Sequence, residues 1–259
     1  MKARLAVFKF ASCDGCQLQV LNLEDELLLL ADLVDLAYFR EARGRQRPGP
    51  YDIALVEGSI STPHDAERIA QVRADSKYLV TIGACATAGG IQALRNWADV
   101  EEYAHTVYPS PELISALATS TPIAAHVHVD YELWGCPIDR GQLVAVLRSL
   151  LSGARPSLPA HSVCMECKRR GHTCVVVARG EPCLGPITRT GCGALCPGLE
   201  RGCYGCFGPC DDPNLFAFTS LLAAQGLDRN AVIRRLRGIN GYAPPMQRAA
   251  ALAADRQKP

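Results

Sequence analysis

The chain has 259 residues, with 27 Lys and Arg against 26 Asp and Glu and a formal net charge of +1. A balance so near zero argues against a nucleic-acid or anionic-membrane partner held by charge, and no run of about 18 apolar residues is present to span a membrane. Thirteen cysteines without an export signal predict a reducing compartment, the cytoplasm, where thiols serve metals or redox chemistry.

Taken in order, the run LAVFKFA (residues 5–11) is apolar and suits a buried strand, and Ser12-Cys13-Asp14-Gly15-Cys16 follows at once. From Gln17 to Asp32 the apolar residues Leu18, Val20, Leu21, Leu27 and Leu28 recur at helical spacing among Asn22, Glu24 and Asp25. Val34–Phe39 reads as a strand, and Arg40–Pro50 as a polar connection. Asp52–Val56 is a further strand, ending in Glu57-Gly58-Ser59, and Asp65–Ala74 is helical. Lys77–Ile82 is a strand that runs into Gly83-Ala84-Cys85-Ala86 and another helix. Residues 96–126 read as irregular, with Pro109, Pro111 and Pro122. A last strand is expected over Val127–Leu133, then Gly135-Cys136-Pro137, then a helix over Gln142–Leu151. Strands alternating with helices predict a parallel α/β sheet covered on both faces.

In this frame four cysteines gain a common address. Cys13 and Cys16 follow one strand, Cys85 another and Cys136 a third. Open α/β sheets build their sites outside the carboxyl ends of the strands, so four thiols from three loops meet at one edge, the ligand set of a four-iron cluster. Gly15, Gly83 and Gly135 stand beside them and let the backbone approach an inorganic core. Singly, each would read as a buried apolar cysteine. Glu57 ends a strand at the same edge, either as a carboxylate near a helix N-terminus or as a polar group beside the cluster. His126 and His128 fall on one face of the expected last strand and read as structural.

The remaining nine cysteines lie between Cys164 and Cys210, in the order C-x2-C-x6-C-x8-C, then C-x8-C-x3-C-x6-C-x2-C, then C-x3-C. Disulfides, zinc and iron–sulfur clusters compete for this stretch. Disulfides belong to oxidising compartments. Zinc favours two CxxC pairs in one compact module, whereas Cys164/Cys167 and Cys203/Cys206 stand far apart. Clusters take four thiolates each from staggered spacings rich in turns, and Pro182, Gly185, Pro186, Gly191, Gly193, Pro197, Gly202 and Gly205 supply such turns. The tail RAAALAADRQKP reads as a short helix that frays.

The strings SCDGCQLQVLNLEDEL, YDIALVEGSI, IGACATAGGIQALRN, VDYELWGCPI, VCMECK, PCLGPITRTGCGALCP and CYGCFGP run from about residue 4 to residue 210. In their order and spacing the chain resembles the small, delta-type subunit of cytosolic nickel–iron hydrogenases of the NAD(P)-linked, sulfhydrogenase group. The resemblance implies a flavodoxin-like domain over residues 1–155 with a proximal 4Fe-4S cluster. It further implies a mostly irregular, cysteine-rich domain over 156–259 with medial and distal 4Fe-4S clusters. On that reading Cys13, Cys16, Cys85 and Cys136 hold the proximal cluster. Cys164, Cys167, Cys174 and Cys183 hold the distal one, and Cys192, Cys196, Cys203 and Cys206 the medial one. The segment LGPITRTG separates the last two sets. Cys210 is then the spare thiol, and His161, in an H-x2-C arrangement with Cys164, is the rival distal ligand. The implied role is electron relay through three 4Fe-4S clusters, inside an oxidoreductase complex whose nickel–iron centre belongs to a large subunit. Further implied partners are flavin-, NAD(P)-binding and iron–sulfur diaphorase subunits. A hydrogenase small subunit with a different acceptor, or a flavin-binding redox module, is the alternative.

Overall fold

Five apolar runs become five parallel strands, β1 (Ala3–Lys9), β2 (Val34–Phe39), β3 (Tyr51–Glu57), β4 (Ser76–Ile82) and β5 (Tyr131–Leu133), in the order β2-β1-β3-β4-β5. The computed structural model describes residues 2–24, 26 and 32–255. They form two compact units, Met1–Ser157 and Leu158–Pro259. In the first unit the chain enters at β1, turns one way to β2 and the other way to β3. That makes β1/β3 the point where a crevice opens at the carboxyl edge.

Helices follow four of the strands: α1 (Gly15–Leu21) after β1, α2 (Pro63–Ala74) after β3, α3 (Gly83–Ala88) after β4 and α5 (Arg140–Leu151) after β5. Ala54 and Val56 of β3 share a buried core with Ile69 and Val72 of α2. Thr62 starts α2 with a reciprocal cap: its hydroxyl accepts from Asp65 N–H at 3.1 Å, and the Asp65 carboxylate accepts from Thr62 N–H at 3.0 Å. Such a cap contributes about 1 kcal/mol. The expected long helix over 17–32 is described only as α1; Asp25 and residues 27–31 lie outside the described residues.

Two expectations are corrected. Residues 96–126 are not irregular throughout, because α4 (Val100–Val107) forms there. The Asp99 carboxylate accepts from Glu101 and Glu102 N–H at 2.9 and 3.2 Å, and two glutamates in the first turn suit the helix dipole. Val100, Tyr103, Ala104 and Val107 stand at helical spacing, although the helix buries none of them. The last strand is only Tyr131–Leu133, and neither histidine lies in it. His126 closes a 3-10 turn and its Nε2 stands 2.8 Å from Thr121 Oγ1, whereas His128 is solvent-exposed, 3.7 Å from Asp130. Asp130 ends the irregular approach by accepting from Leu79 N–H at 2.7 Å, which sets where pairing with β4 begins.

The second unit begins with short helices joined by turns: α6 (Val163–Arg169), α7 (Val175–Arg179) and α8 (Leu195–Gly198). Three longer helices, α9 (Leu215–Ala224), α10 (Arg229–Leu236) and α11 (Pro244–Asp255), pack through Leu222, Val232, Leu236, Met246, Ala249 and Ala250. The tail expected to fray is helical to Asp255, and residues 256–259 lie outside the described residues. No helix among the described residues is long and apolar enough to cross a membrane.

Candidate metal centres

The carboxyl edge of the first sheet assembles its thiols through main-chain ties. Past the end of β1, Phe10 N–H donates to Glu57 O at 2.8 Å, and Ala11 and Ser59 exchange hydrogen bonds of 3.2 and 3.0 Å. These bonds carry the pairing of β1 with β3 into the loop that presents Cys13 and Cys16. Asp14 turns left-handed between them, with its carboxylate 2.5 Å from Lys9 Nζ. On the other side Ala84 N–H donates to Gly135 O at 2.7 Å, joining the loop of Cys85 to that of Cys136.

Cys13 is exposed, Cys16 buried, and Cys85 and Cys136 half-buried. Burial pushes the Cys16 thiol far up, aided by the charges of Glu57, Cys85 and Cys136 and opposed by a hydrogen bond from Ile138 N–H. Burial pushes Cys85 up to about 11, with Cys136 and Cys13 adding to it. Cys136 is raised by burial, then by Cys13 and Glu57. The four thiols therefore lie within one another's electrostatic reach. Glycine is needed beside them: a Cβ on Gly83, whose φ is +85°, would stand 2.3 Å from Cys16 Sγ. A Cβ on Gly90 would stand 2.5 Å from Cys85 Sγ.

In the second unit Cys164, Cys167, Cys174 and Cys183 line one cavity of about 250 Å³, whose other walls include Val163, Val175, Pro186 and Leu221. The first two thiols ride one turn of α6, and Cys174 precedes α7. Burial pushes Cys164 up to about 11, followed by Cys183, Cys167 and Cys174. Gly185 approaches this group closely, since a Cβ there would meet Cys183 Sγ at 3.3 Å and Cys164 Sγ at 3.5 Å.

Of the remaining set, Cys203 is buried and its thiol is pushed up to about 12 by burial, with Cys183 and Cys206 among the charges it feels. Its sulfur accepts from Gly205 N–H at 3.4 Å. Cys192 receives hydrogen bonds from Ala194 and Leu195 N–H, and Cys196 lies in α8. Glu166, between Cys164 and Cys167, accepts from Thr190 Oγ1 at 2.8 Å and Gly191 N–H at 3.3 Å, next to Cys192. Cys210 is buried with its sulfur 3.6 Å from Pro186 O, and the charges it feels are those of Asp211, Arg189 and Asp212. His161 Nδ1 stands 3.2 Å from Ser162 O.

These surroundings fit iron–sulfur clusters. Sulfur-rich, apolar, turn-built sites suit soft metal centres, and main-chain N–H groups aimed at Cys183 and Cys203 are the donors that stabilise bound thiolates. Ligand thiols lose their protons as they bind metal, so metal binding and ionisation are coupled at such sites.

Nothing in the sequence marks Glu166 or Gln17 beforehand. Glu166 is one polar residue within a CxxC pair. Gln17 is 2 % exposed beside Cys16, and a glutamine adjoining a cysteine loop carries no signal by itself.

Known proteins share this outline. The family model described as the NADH ubiquinone oxidoreductase 20 kDa subunit matches residues 13–150. The delta subunit of sulfhydrogenase 2 from Pyrococcus furiosus is 35 % identical over 234 residues, covering 90 % of this chain and 98 % of that protein. A subunit of the vhu F420-non-reducing hydrogenase from Methanococcus voltae is 32 % identical, covering 90 % and 94 %. A crystal structure of an NAD+-reducing [NiFe]-hydrogenase in the H2-reduced state contains a chain that is 32 % identical. It aligns with a TM-score of 0.56 over 61 % of this chain and 96 % of that one.

Proposed function

Because the chain belongs to the NADH ubiquinone oxidoreductase 20 kDa subunit family, and within it to the small subunits of nickel–iron hydrogenases, we propose that it relays electrons through three 4Fe-4S clusters. As such a subunit it binds iron–sulfur clusters, works within an oxidoreductase complex and leaves the catalytic metal to the large subunit. The finer reading assigns Cys13, Cys16, Cys85 and Cys136 to one cluster of residues 1–155. It assigns Cys164, Cys167, Cys174 and Cys183 to a second and Cys192, Cys196, Cys203 and Cys206 to a third, both within 156–259. The observation that carries it is the apolar cavity lined by all four thiols of the second set.

When bound, each cluster accepts and passes on one electron at a time. The chain's own residues do the rest. Thiolates hold the iron, Gly83 and Gly185 leave room for it, and N–H donors to sulfur adjust how readily it is reduced. Val163, Val175, Pro186 and Leu221 give the second set an apolar wall, while Cys174 stays exposed. We assign the electrons to flavin- and NAD(P)-binding diaphorase subunits in the cytoplasm. The NAD+-reducing enzyme and the sulfhydrogenase among the similar proteins support this. A second reading, a different acceptor, is favoured by the similar coverage and identity of the F420-non-reducing hydrogenase relative.

The test is hydrogen-dependent reduction of NAD+ and NADP+ by the assembled complex. The relay reading expects Cys174→Ser to abolish it while the large subunit still reduces an artificial dye from hydrogen. Unchanged NAD(P) reduction in that variant contradicts the relay. Absent NAD(P) reduction in the unaltered complex favours the different acceptor.

A further inference from the structure

Glu57 is a carboxylate almost wholly removed from water, 2 % exposed at the last position of a central strand. Charged side chains are almost never buried to this degree without partners. Oε1 accepts from Cys16 N–H at 3.0 Å and Oε2 from Gln17 N–H at 3.3 Å, and the Gln17 side chain is a third partner; burial pushes the carboxyl up and these hydrogen bonds oppose the rise by favouring the charged form. Both main-chain amides belong to the first turn of α1, whose N–H groups have no partner within the helix. The usual source of a cap is absent, because Asp14 is left-handed and makes no side-chain cap bond. The cap comes instead from 41 residues away, across the β1/β3 switch point. Lys9, the cation paired with Glu57 in register across β1 and β3, is engaged by the Asp14 carboxylate at 2.5 Å.

We propose that Glu57 is a positioning residue of the cluster assigned to Cys13, Cys16, Cys85 and Cys136. Its carboxylate fixes the turn that aims Cys16, and its charge, held beside the cluster, lowers that cluster's reduction potential. The inference rests on the ligand set given under Proposed function. A fixed negative charge in a low-dielectric setting opposes arrival of an electron, so removing the charge raises the potential. A purely structural cap would fix Cys16 without that electrostatic effect.

The experiment uses the assembled complex, purified without air and poised at a series of potentials while electron paramagnetic resonance is recorded. Cys16→Ser identifies the signal of this cluster by its loss or change. Glu57→Gln keeps the shape and one accepting oxygen but removes the charge. It is expected to raise the potential of that same signal by about tenfold in the reduction equilibrium, about 59 mV for one electron, leaving the other signals in place. Glu57→Asp keeps the charge on a shorter arm and is expected to stay nearer the unaltered potential than Glu57→Gln. If Glu57→Gln does not move the signal that Cys16→Ser abolishes, the inference about Glu57 is wrong and the ligand set stands. If Cys16→Ser changes no signal, the ligand set itself is wrong and the inference falls with it.

Discussion

The main-chain N–H of Cys203 donates to the sulfur of Cys183 at 3.2 Å, and the N–H of Leu184 returns to Cys203 O at 3.0 Å. This pair of bonds ties the last thiol of one assigned set to a member of the next, 20 residues along the chain. The close approach is possible because Gly202 has no side chain: a Cβ there would stand 2.0 Å from Pro182 O. Two sets divided in sequence by LGPITRTG thus share a hydrogen-bonded backbone seam, a short covalent and hydrogen-bonded path between their sulfurs.

Cys210 should be dispensable. Its sulfur faces Pro186 O, and the charges it feels are not those of other thiols. Replacing Cys210 by Ser is expected to leave iron and acid-labile sulfide at their original level. Replacing Cys183 by Ser is expected to remove about one cluster's worth, roughly four irons per chain. Iron loss in the Cys210 variant would reassign the ligands.

Gly83 and Gly153 make a matched pair. Both are left-handed, with φ of +85° and +73°, so alanine strains either by about 1–2 kcal/mol. Only at Gly83 would the new methyl meet a sulfur, Cys16 Sγ at 2.3 Å; at Gly153 nothing lies within 4 Å. Gly83→Ala should lose the resonance signal of the first set, and Gly153→Ala should keep it while lowering the melting temperature modestly. Equal effects of the two would show that strain alone is at work.

Leu18 and Ile91 are apolar yet 52 % and 53 % exposed, two positions after Cys16 and six after Cys85. We predict that the large subunit covers these two residues, because they flank two of the assigned cluster ligands. Leu18→Glu with Ile91→Glu is expected to abolish co-purification with the large subunit. Stability of the chain alone should change by less than about 0.5 kcal/mol per site, as for exposed positions generally. Retained co-purification would place the interface elsewhere.

Much of this is legible in the sequence because the informative residues are local. LAVFKFA, VDLAYF and DIALV are apolar runs of strand length, and the central two, LAVFKFA and DIALV, are buried along most of their length, as a sheet covered on both faces requires. The cysteine loops follow them directly. Contact between distant residues is what a sequence does not carry. Glu57 ends a strand in either reading, and only the fold reveals its carboxylate against Cys16 and Gln17 N–H. Alternation around Val127 suggests a strand that holds His126 and His128, but the Asp130 carboxylate on Leu79 N–H begins the pairing later. The helix Val100–Val107 does carry an apolar stripe, Val100, Tyr103, Ala104 and Val107, but it spans only two turns and the prolines that follow it make the whole segment read as irregular. The segment Leu215–Ala224 is apolar nearly all round, so only its packing against the two following helices separates core from surface positions.

Without the large subunit the chain should neither oxidise hydrogen nor reduce NAD(P). Its cysteines fall into relay-type spacings, and no glycine-rich dinucleotide loop of the form G-x-G-x-x-G follows a strand. Anaerobic assay of the small subunit by itself with hydrogen and a dye is expected to yield no reduction. Dye reduction above that of a heat-treated control would mean catalysis occurs here.

The most direct measurement is iron, sulfide and zinc per chain in the anaerobically purified complex, after subtracting the contributions of the other subunits. Mössbauer spectroscopy of the 57Fe-labelled chain would define the cluster type. Three four-iron clusters predict about 12 iron and about 12 sulfide per chain, no stoichiometric zinc, and spectra of 4Fe-4S type only. About 8 iron with one zinc, or any stoichiometric two-iron cluster, would contradict the assignment of three four-thiol sets.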